Sequence, residues 1–471
     1  MQKRLLHFFI TILVVGLAFA SMLFINACDA PVSSDFLEGN EIDPNNPTAV
    51  TVDQLFTAVQ VNGYRQHSGH LARTVAMWMQ QMAGTDRQYQ QYDRYIFSED
   101  DYDGEFDNWY TGGGLIDIRR IIKIANEQLN DRVYAGYGKF YEAWFIGTCA
   151  SIWGDTPYSE AVNDQFPTPK LDKQADVYAA VQALLDQAIA DLGSGVGLGP
   201  RTVDLGYRGN VQRMVATART LKARYYMHWA EVDPSNYQKA LTEANQGISA
   251  VAGNLMTVHN ASVATEWSMW YQFYQSRDSY TRAGKFMVDL MKARNDPRLN
   301  IYYRPLANGQ VVGAAIGEPV SSTTSLLGAA FSSQASPFPL ITFEENELIK
   351  AECNYKLNNP TAALDNLNKT RAELQAKWRA TVPTFTYPPL TGLTGQALLD
   401  EILTEKYLSL FLQIEVWNDY KRNCFPKFVT YQGQPVPGRV LYSDDERNAN
   451  PNFPAPNAQP ARNANDPNAC N

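Results

Sequence analysis

The chain has 471 residues, 45% of them hydrophobic, and a formal charge of −9 at neutral pH. That length allows two or three conventional domains or one large helical body, and the hydrophobic fraction is that of an ordinary globular protein. The chain is acidic and has no run of Lys or Arg. This excludes nucleic acid as a partner, because phosphate binding needs basic clusters.

The chain opens on Lys3 and Arg4, followed by an apolar run from Leu5 to Phe24 broken only by His7, Thr11, Gly16 and Ser21, and then Ile25-Asn26-Ala27-Cys28. The run is short for a transmembrane helix, and a small residue before a cysteine resembles a bacterial lipoprotein signal. Residues 1–27 therefore read as a signal peptide. Cleavage leaves Cys28 as the first residue, carrying lipid, so that the mature protein is anchored to a membrane and not embedded in it. The signal has two basic residues and no acidic ones, so its loss takes the charge from −9 to −11. Residues 28–50 follow as a lipidated tether, rich in Pro, Asn, Asp and Ser and unable to bury apolar surface. Residues 51–471 form a single body.

Helical patterning starts after Thr51, an N-cap ahead of Leu55 and Val59, and continues from Leu71 to Met82. The carboxylate-rich stretch from Tyr92 to Trp109 reads as loop. Leu115 to Leu129 and Tyr134 to Ile152 return to helix, the second stopping at Gly154-Asp155-Thr156-Pro157. Lys173 to Leu192 carries one apolar stripe, with Asp172 as its expected N-cap and a Gly-rich linker, Gly193 to Gly199, behind it. Two helix pairs follow. Asn210 caps a helix running to Trp229, broken by Asp233-Pro234, and Ser235 caps its partner. Phe343 to Leu357 turns at Asn358-Asn359-Pro360 into Thr361 to Leu374. Pairs of this size suggest tetratricopeptide-like hairpins, although no fixed period repeats. Ala397 to Tyr420 reads as one last long helix. The tail from Tyr442 to Asn471 reads as irregular. Strand-like runs such as Gln310-Val311-Val312 are too few for a main sheet, so the expected fold is mainly α with irregular excursions.

Of the five cysteines, Cys28 is assigned to lipid, and Cys149 and Cys353 read as small buried hydrophobes inside helices. Cys424 and Cys470 lie in the C-terminal region, and an exported protein meets an oxidising environment. A disulfide between them is expected, worth about 4 kcal/mol in the chain-entropy model.

The stretch Ile152-Trp153-Gly154-Asp155-Thr156-Pro157-Tyr158-Ser159-Glu160-Ala161 is similar to the "YGDIPYSEA" segment of the SusD/RagB family of surface nutrient-binding lipoproteins. So are, in order, Pro169 to Gln174 with Val177-Tyr178, Asn295-Asp296-Pro297-Arg298-Leu299, Glu405-Lys406-Tyr407 and Trp417-Asn418-Asp419-Tyr420-Lys421-Arg422. Lys421-Arg422 replaces the family's usual arginine pair. The resemblance implies tetratricopeptide-like hairpins carrying a loop-rich ligand-binding region. It also implies an outer-membrane, cell-surface location, a glycan or peptide ligand, and a TonB-dependent transporter of the SusC type as partner. Read as chemistry, these motif residues make turns and packing; none is assigned a catalytic role.

The strongest ligand-site candidate is Trp267-Ser268-Met269-Trp270-Tyr271-Gln272-Phe273-Tyr274, with Gln275 and Arg277 beside it. Sugar C–H faces stack on indole and phenol rings while amides and guanidinium bond hydroxyls. Trp267, Trp270, Tyr271 and Tyr274 are therefore candidate contacts, and the resemblance places this part of the chain near the ligand site. Trp109-Tyr110, ahead of Gly112-Gly113-Gly114, is a second candidate. In both places the alternative is that the rings fill a core. Trp270→Ala is expected to weaken ligand binding by about 1–3 kcal/mol without unfolding the protein, a range taken from base–aromatic stacking.

Asp101-x-Asp103-Gly104-Glu105-x-Asp107 has oxygens at alternate positions like a calcium loop. Its glycine is misplaced, however, and position twelve is Gly112, so it reads as a solvated acidic loop and no metal or other cofactor is expected. His67 and His70 lack a third ligand nearby. No Gly-x-Ser-x-Gly elbow, phosphate loop or Cys-x-x-Cys is present. The expectation is a non-enzymatic binding lipoprotein. The alternatives are a surface glycoside hydrolase, which needs two converging carboxylates, and a helical-repeat scaffold that binds only proteins.

Overall fold

The computed structural model describes residues 50–466 and Cys470. The expected signal over residues 1–27, the lipidation site Cys28 and the tether up to residue 49 lie outside the described residues. Among the described residues no helix is long and apolar enough to cross a membrane.

Helix α1 (Val52–Ser68) starts directly after Thr51. Gly69 ends it, since a Cβ there would sit 2.4 Å from the Arg65 carbonyl oxygen. Helix α2 (His70–Trp78) stops earlier than the periodicity predicts, because Gln80 takes a left-handed φ of 49° and turns the chain into strand β1 (Met82–Gly84). Helix α3 (Leu115–Ile124) runs on through a wider π-helical turn to Leu129. Asp131 then caps helix α4 (Arg132–Trp153) by accepting from the Tyr134 amide at 2.7 Å.

Nearly every residue of α4 is buried, so this helix is the centre of the body rather than an amphipathic surface element. Helix α5 (Gln174–Leu192) packs along it. Asp172 is not the cap of α5. Its carboxylate accepts from the amides of Tyr158 and Ser159, at 3.1 and 2.6 Å, and Asp155 takes the Gln174 amide at 2.8 Å instead.

Helices α6 (Val211–Met227) and α7 (Ser235–Ala244) form the first predicted hairpin, and Asn210 caps α6 through the Arg213 amide. A Cβ on Gly147 of α4 would meet the Tyr225 ring of α6 at 2.4 Å, so the missing side chain sets how closely these helices approach. The chain then passes through strand β2 (Leu255–Met256), helix α8 (Met269–Arg277), strand β3 (Thr281–Ala283) and helix α9 (Lys285–Ala293) to strand β4 (Pro339–Ile341). Strands β1 and β3 pair antiparallel, as do β2 and β4.

The second hairpin is helix α10 (Phe343–Lys356) with helix α11 (Pro360–Arg379), which has Pro360 in its first turn. Helix α12 (Gly395–Ser409) and helix α13 (Glu415–Asn423) complete the array. The single long helix expected over Ala397 to Tyr420 is therefore two. Leu412 between them has a φ of 67°, and the buried Gln81 side chain fills the break: its amide donates to the Tyr407 carbonyl at 2.9 Å, and its oxygen accepts from the Leu412 amide at 2.8 Å. A distant side chain replaces a helical turn there.

The hairpins stack through successive apolar layers. Met227, Tyr237, Ala240, Ile349 and Cys353 join the two pairs, and Leu348, Leu367, Leu398 and Ile402 join the second pair to α12. Each such buried Leu or Ile contributes about 1.5–3 kcal/mol relative to exposure. The fold is mainly helical and tetratricopeptide-like, as expected.

The motifs that are separate in sequence meet in space as buried ion pairs. Arg298 is fully buried and bonds Asp296 at 2.6 Å, Glu405 at 2.7 Å and the Tyr387 hydroxyl at 2.7 Å. Next to Glu405 in sequence, Lys406 reaches Asp419 at 2.8 Å, and Asp419 accepts from Arg422 at 2.7 Å. Arg422 closes the network on Glu352. Buried charges of this kind persist only when each is paired and hydrogen-bonded.

The tail is irregular but not loose. Tyr442, Phe453, Asn463 and Asn465 are buried, and the Tyr442 hydroxyl donates to the Asp155 carbonyl at 2.6 Å. Cys424 and Cys470, 46 residues apart, are joined by a disulfide, while Cys149 and Cys353 are free and buried.

Candidate functional site

Helix α8 carries the aromatic stretch from Met269 on, with Trp267 two residues ahead of it, and the rings divide between an inner and an outer side. Trp270 and Phe273, three apart, point inward, and Trp270 is only 1% exposed. Trp267 and Tyr271 stand half-exposed on the other side, their rings edge to face with centroids 5.2 Å apart. The Trp267 indole N–H is already donated to the Ala261 carbonyl at 2.9 Å, and the Gln272 amide donates to the Trp267 carbonyl at 2.6 Å. What remains on offer is ring surface and the Tyr271 hydroxyl, with exposed Gln275 and Arg277 one turn on. Tyr274 is half-buried and its hydroxyl is shared with Thr281 on β3 at 2.7 Å.

Beneath the helix lies more aromatic surface. Arg73 stacks over Phe273 at 4.5 Å and donates to the Tyr89 hydroxyl at 2.8 Å. His259, beside Tyr64, is fixed by Thr257 at 2.7 Å, and burial lowers its pKa, so it stands neutral at pH 7.

Two of the candidate contacts are thus core residues. Trp270 faces the interior of α8. Trp109 is fully buried, edge-on to His67 at 5.5 Å and to Phe145 at 5.4 Å, and it anchors the turn before α3. Burial of His67 in the same cluster pulls its pKa down to about 3, so the ring is neutral, and its two nitrogens lie against the Gly63 carbonyl at 2.9 Å and the Thr148 hydroxyl at 3.2 Å. Tyr110 is half-buried with its hydroxyl against Thr156 and the Cys149 thiol. Trp267 and Tyr271 are the predicted residues that the structure brings together with an open face, while Tyr274 lies against Trp270 and Phe273.

The acidic stretch is folded rather than a free loop. It forms a tight turn over Glu99–Tyr102 and a helical turn over Asp103–Asp107, with Asp101 accepting from the Ser98 amide and the Tyr92 hydroxyl, each at 2.6 Å. The tail brings Asp444 to it, so that one oxygen each of Asp100, Asp103 and Asp444 lie within 4.8 Å of one another. Repulsion from Asp444 raises the Asp100 pKa, and desolvation raises that of Asp103.

A feature the sequence reading missed is a cleft of 690 Å3 between the Gly154–Asp155 turn and the tail, with Lys170, Lys173, Asp155, Tyr442, Pro460 and Arg462 among its lining residues. The sequence signal for it was Tyr442, a large aromatic at the head of a Pro- and Asn-rich tail.

The chain belongs to the SusD-like family described as "Starch-binding associating with outer membrane", whose model matches residues 44–443. No curated protein matches it. Among solved structures it is similar to a SusD/RagB family protein from Bacteroides thetaiotaomicron, with 20% identity and a TM-score of 0.71 over 86% of this chain and 95% of that one. It is likewise similar to a SusD homolog from Bacteroides fragilis, with 20% identity and a TM-score of 0.71 over 88% of this chain and 98% of that one. A chitin-binding SusD homolog from Flavobacterium johnsoniae matches with 18% identity and a TM-score of 0.71 over 88% of this chain and 98% of that one. At these identities the likeness is one of fold.

Proposed function

We propose that this protein is a cell-surface lipoprotein that binds a nutrient oligosaccharide on the open face of α8 without cleaving it and delivers it to a TonB-dependent outer-membrane transporter of the SusC type. The observation that carries this reading is the state of Trp267 and Tyr271. Both rings stand half-exposed, and the one polar atom of the indole is already bonded, so the pair offers two ring faces for stacking and the Tyr271 hydroxyl for a hydrogen bond. Sugar C–H faces satisfy such rings, and the neighbouring Gln275 and Arg277 suit ring hydroxyls. This favours a glycan over a peptide. Family membership and the chitin-binding neighbour support the same ligand class.

Trp267→Ala and Tyr271→Ala should each weaken binding of soluble starch or chitin oligosaccharides in titration calorimetry. Incubation of the wild-type protein with the same glycans should release no new reducing ends. Turnover abolished by a single Asp or Glu substitution would overturn the binding-only reading, and co-purification with a transporter but no glycan in any screen would favour a protein scaffold.

A further inference from the structure

We propose that the cleft between the Gly154–Asp155 turn and the C-terminal tail is a second ligand subsite, and that it takes a sugar bearing a carboxylate. This rests on the glycan-capture reading above and places a different chemistry at a different location. The volume of 690 Å3 lies within the roughly 300–1,000 Å3 of ligand pockets. Pro454 and Pro460 give the wall an apolar part against which a pyranose face can lie, and Lys170, Lys173 and Arg462 supply cations, with Asp155 the one carboxylate in the lining.

The lysines are held loosely. Lys173 pairs with Asp155 at 2.8 Å while its side chain is 75% exposed, and Lys170 reaches Glu160 at 3.5 Å and Asp172 at 3.9 Å while 56% exposed. Exposed pairs of this kind are worth ~0–1 kcal/mol, so either ammonium can turn to a better anion at little cost. Arg462 is tied to Asp466 at 2.9 Å.

Arg439 gives the cleft its sign. It is 3% exposed, and its guanidinium lies 4.2 Å over the Tyr442 ring and donates to the Pro460 carbonyl at 3.3 Å, both residues of the cleft wall. Its Nε and Nη2 have no hydrogen-bond partner, and among the described residues the carboxylate that acts on it is Asp155 of the cleft, from beyond ion-pair distance. A buried cation with no ion-pair partner in contact, screened only in part by Asp155, projects its field into the neighbouring space more strongly than one in water. A ligand carboxylate entering the cleft meets that field and the two mobile lysines together, while its ring covers the prolines. A neutral sugar gains only the second contact.

The test uses the full mature chain in titration calorimetry with an oligogalacturonate, its carboxyl-reduced neutral counterpart and a sulfated oligosaccharide of matched length. The oligogalacturonate should bind about tenfold or more tightly than the reduced form, with an advantage that shrinks as salt rises. The double variant Lys170→Ala with Lys173→Ala, both exposed and therefore harmless to the fold, should lose about tenfold in affinity for the acid and little for neutral glycans. Arg439→Gln should lose the discrimination between acid and reduced form, and where that variant fails to fold the lysine variant decides. Equal affinity for the acid and its reduced form, or unchanged acid binding in the lysine variant, would overturn the proposal. So would binding of the sulfated ligand alone. Neutral glycans bound through Trp267 with no oligogalacturonate bound would sink this inference and leave the α8 reading standing; no binding of any glycan would sink both.

Discussion

Trp270→Ala separates the two faces of α8. The sequence reading expects this substitution to cost ligand affinity and spare the fold; the structure predicts the reverse. A buried indole removes about 150–250 Å2 from water, which at ~25 cal/mol/Å2 corresponds to about 4–6 kcal/mol. Large aromatic-to-alanine changes in cores cost about 3–5 kcal/mol. Trp270 is 1% exposed and its indole N–H has no partner, so no hydrogen bond is lost and packing accounts for the whole effect. The assay is chemical denaturation followed by far-UV circular dichroism and by tryptophan fluorescence, with coinciding transitions as the test of two-state behaviour. Trp267→Ala and Tyr271→Ala are the controls, expected to stay within about 1 kcal/mol of wild-type stability while losing ~1–3 kcal/mol of glycan affinity. A Trp270→Ala protein with wild-type stability and no glycan binding would refute the division of faces.

Three further outcomes are expected. Arg298→Met leaves Asp296 buried without its ion pair and Glu405 with only Arg371 at 3.6 Å, and should destabilise by about 3–5 kcal/mol in the same denaturation assay. Asp93 is buried and accepts from the amides of Gly84 at 3.0 Å and Gly317 at 2.5 Å; burial outweighs those bonds and raises its pKa from 3.8 to about 7. The folded state therefore holds a proton that the unfolded state has lost between about pH 4 and 7, so this group's contribution to stability falls as pH rises through that window, by up to about 1.4 kcal/mol per pH unit, and Asp93→Asn should remove that component from a stability–pH profile. Replacing Cys424 and Cys470 by serine opens a loop spanning 46 residues and should cost about 4 kcal/mol in the chain-entropy model, read as earlier proteolytic cutting within the tail.

The helical hairpins were legible because their signals are local. Thr51, Asn210 and Pro360 mark helix starts, and the apolar stripes of α5 and α6 have the helical period. The breaks were not legible where a distant residue makes them. Nothing between Ala397 and Tyr420 announces that Gln81 inserts its amide at Leu412, and nothing near Lys173 shows that Asp155 supplies the capping oxygen expected of Asp172. The candidate site was half legible for a related reason. Composition locates the rings of α8, but which of them face outward depends on where the helix axis lies relative to the body, and an eight-residue aromatic run has no polar face to report it. The cleft was invisible, because its walls come from the Gly154 turn and a tail with no period at all.

The arrangement of charge explains why the family motifs identify the fold and say little about the ligand. Arg298 with Asp296 and Glu405 forms one buried cluster, and Lys406, Asp419, Arg422 and Glu352 form a second; the adjacent residues Glu405 and Lys406 of α12 set the two side by side. Removing any member strands a charge in low dielectric, so each holds the others in place and none is free to report on what the protein binds. Helix α8 is attached differently. The Ser268 amide bonds the Gln334 carbonyl at 2.7 Å, Tyr274 bonds Thr281 at 2.7 Å, and Trp270 with Phe273 fills the space beneath. No ion pair ties α8 to the hairpins among the described residues, so its outer positions can change without stranding a buried charge. A chimera that exchanges the half-exposed Trp267 and Tyr271 with the exposed Gln275 and Arg277 should therefore keep the denaturation profile of the parent and change only its glycan preference; a loss of stability beyond about 1 kcal/mol would mean that the binding face and the scaffold are coupled after all.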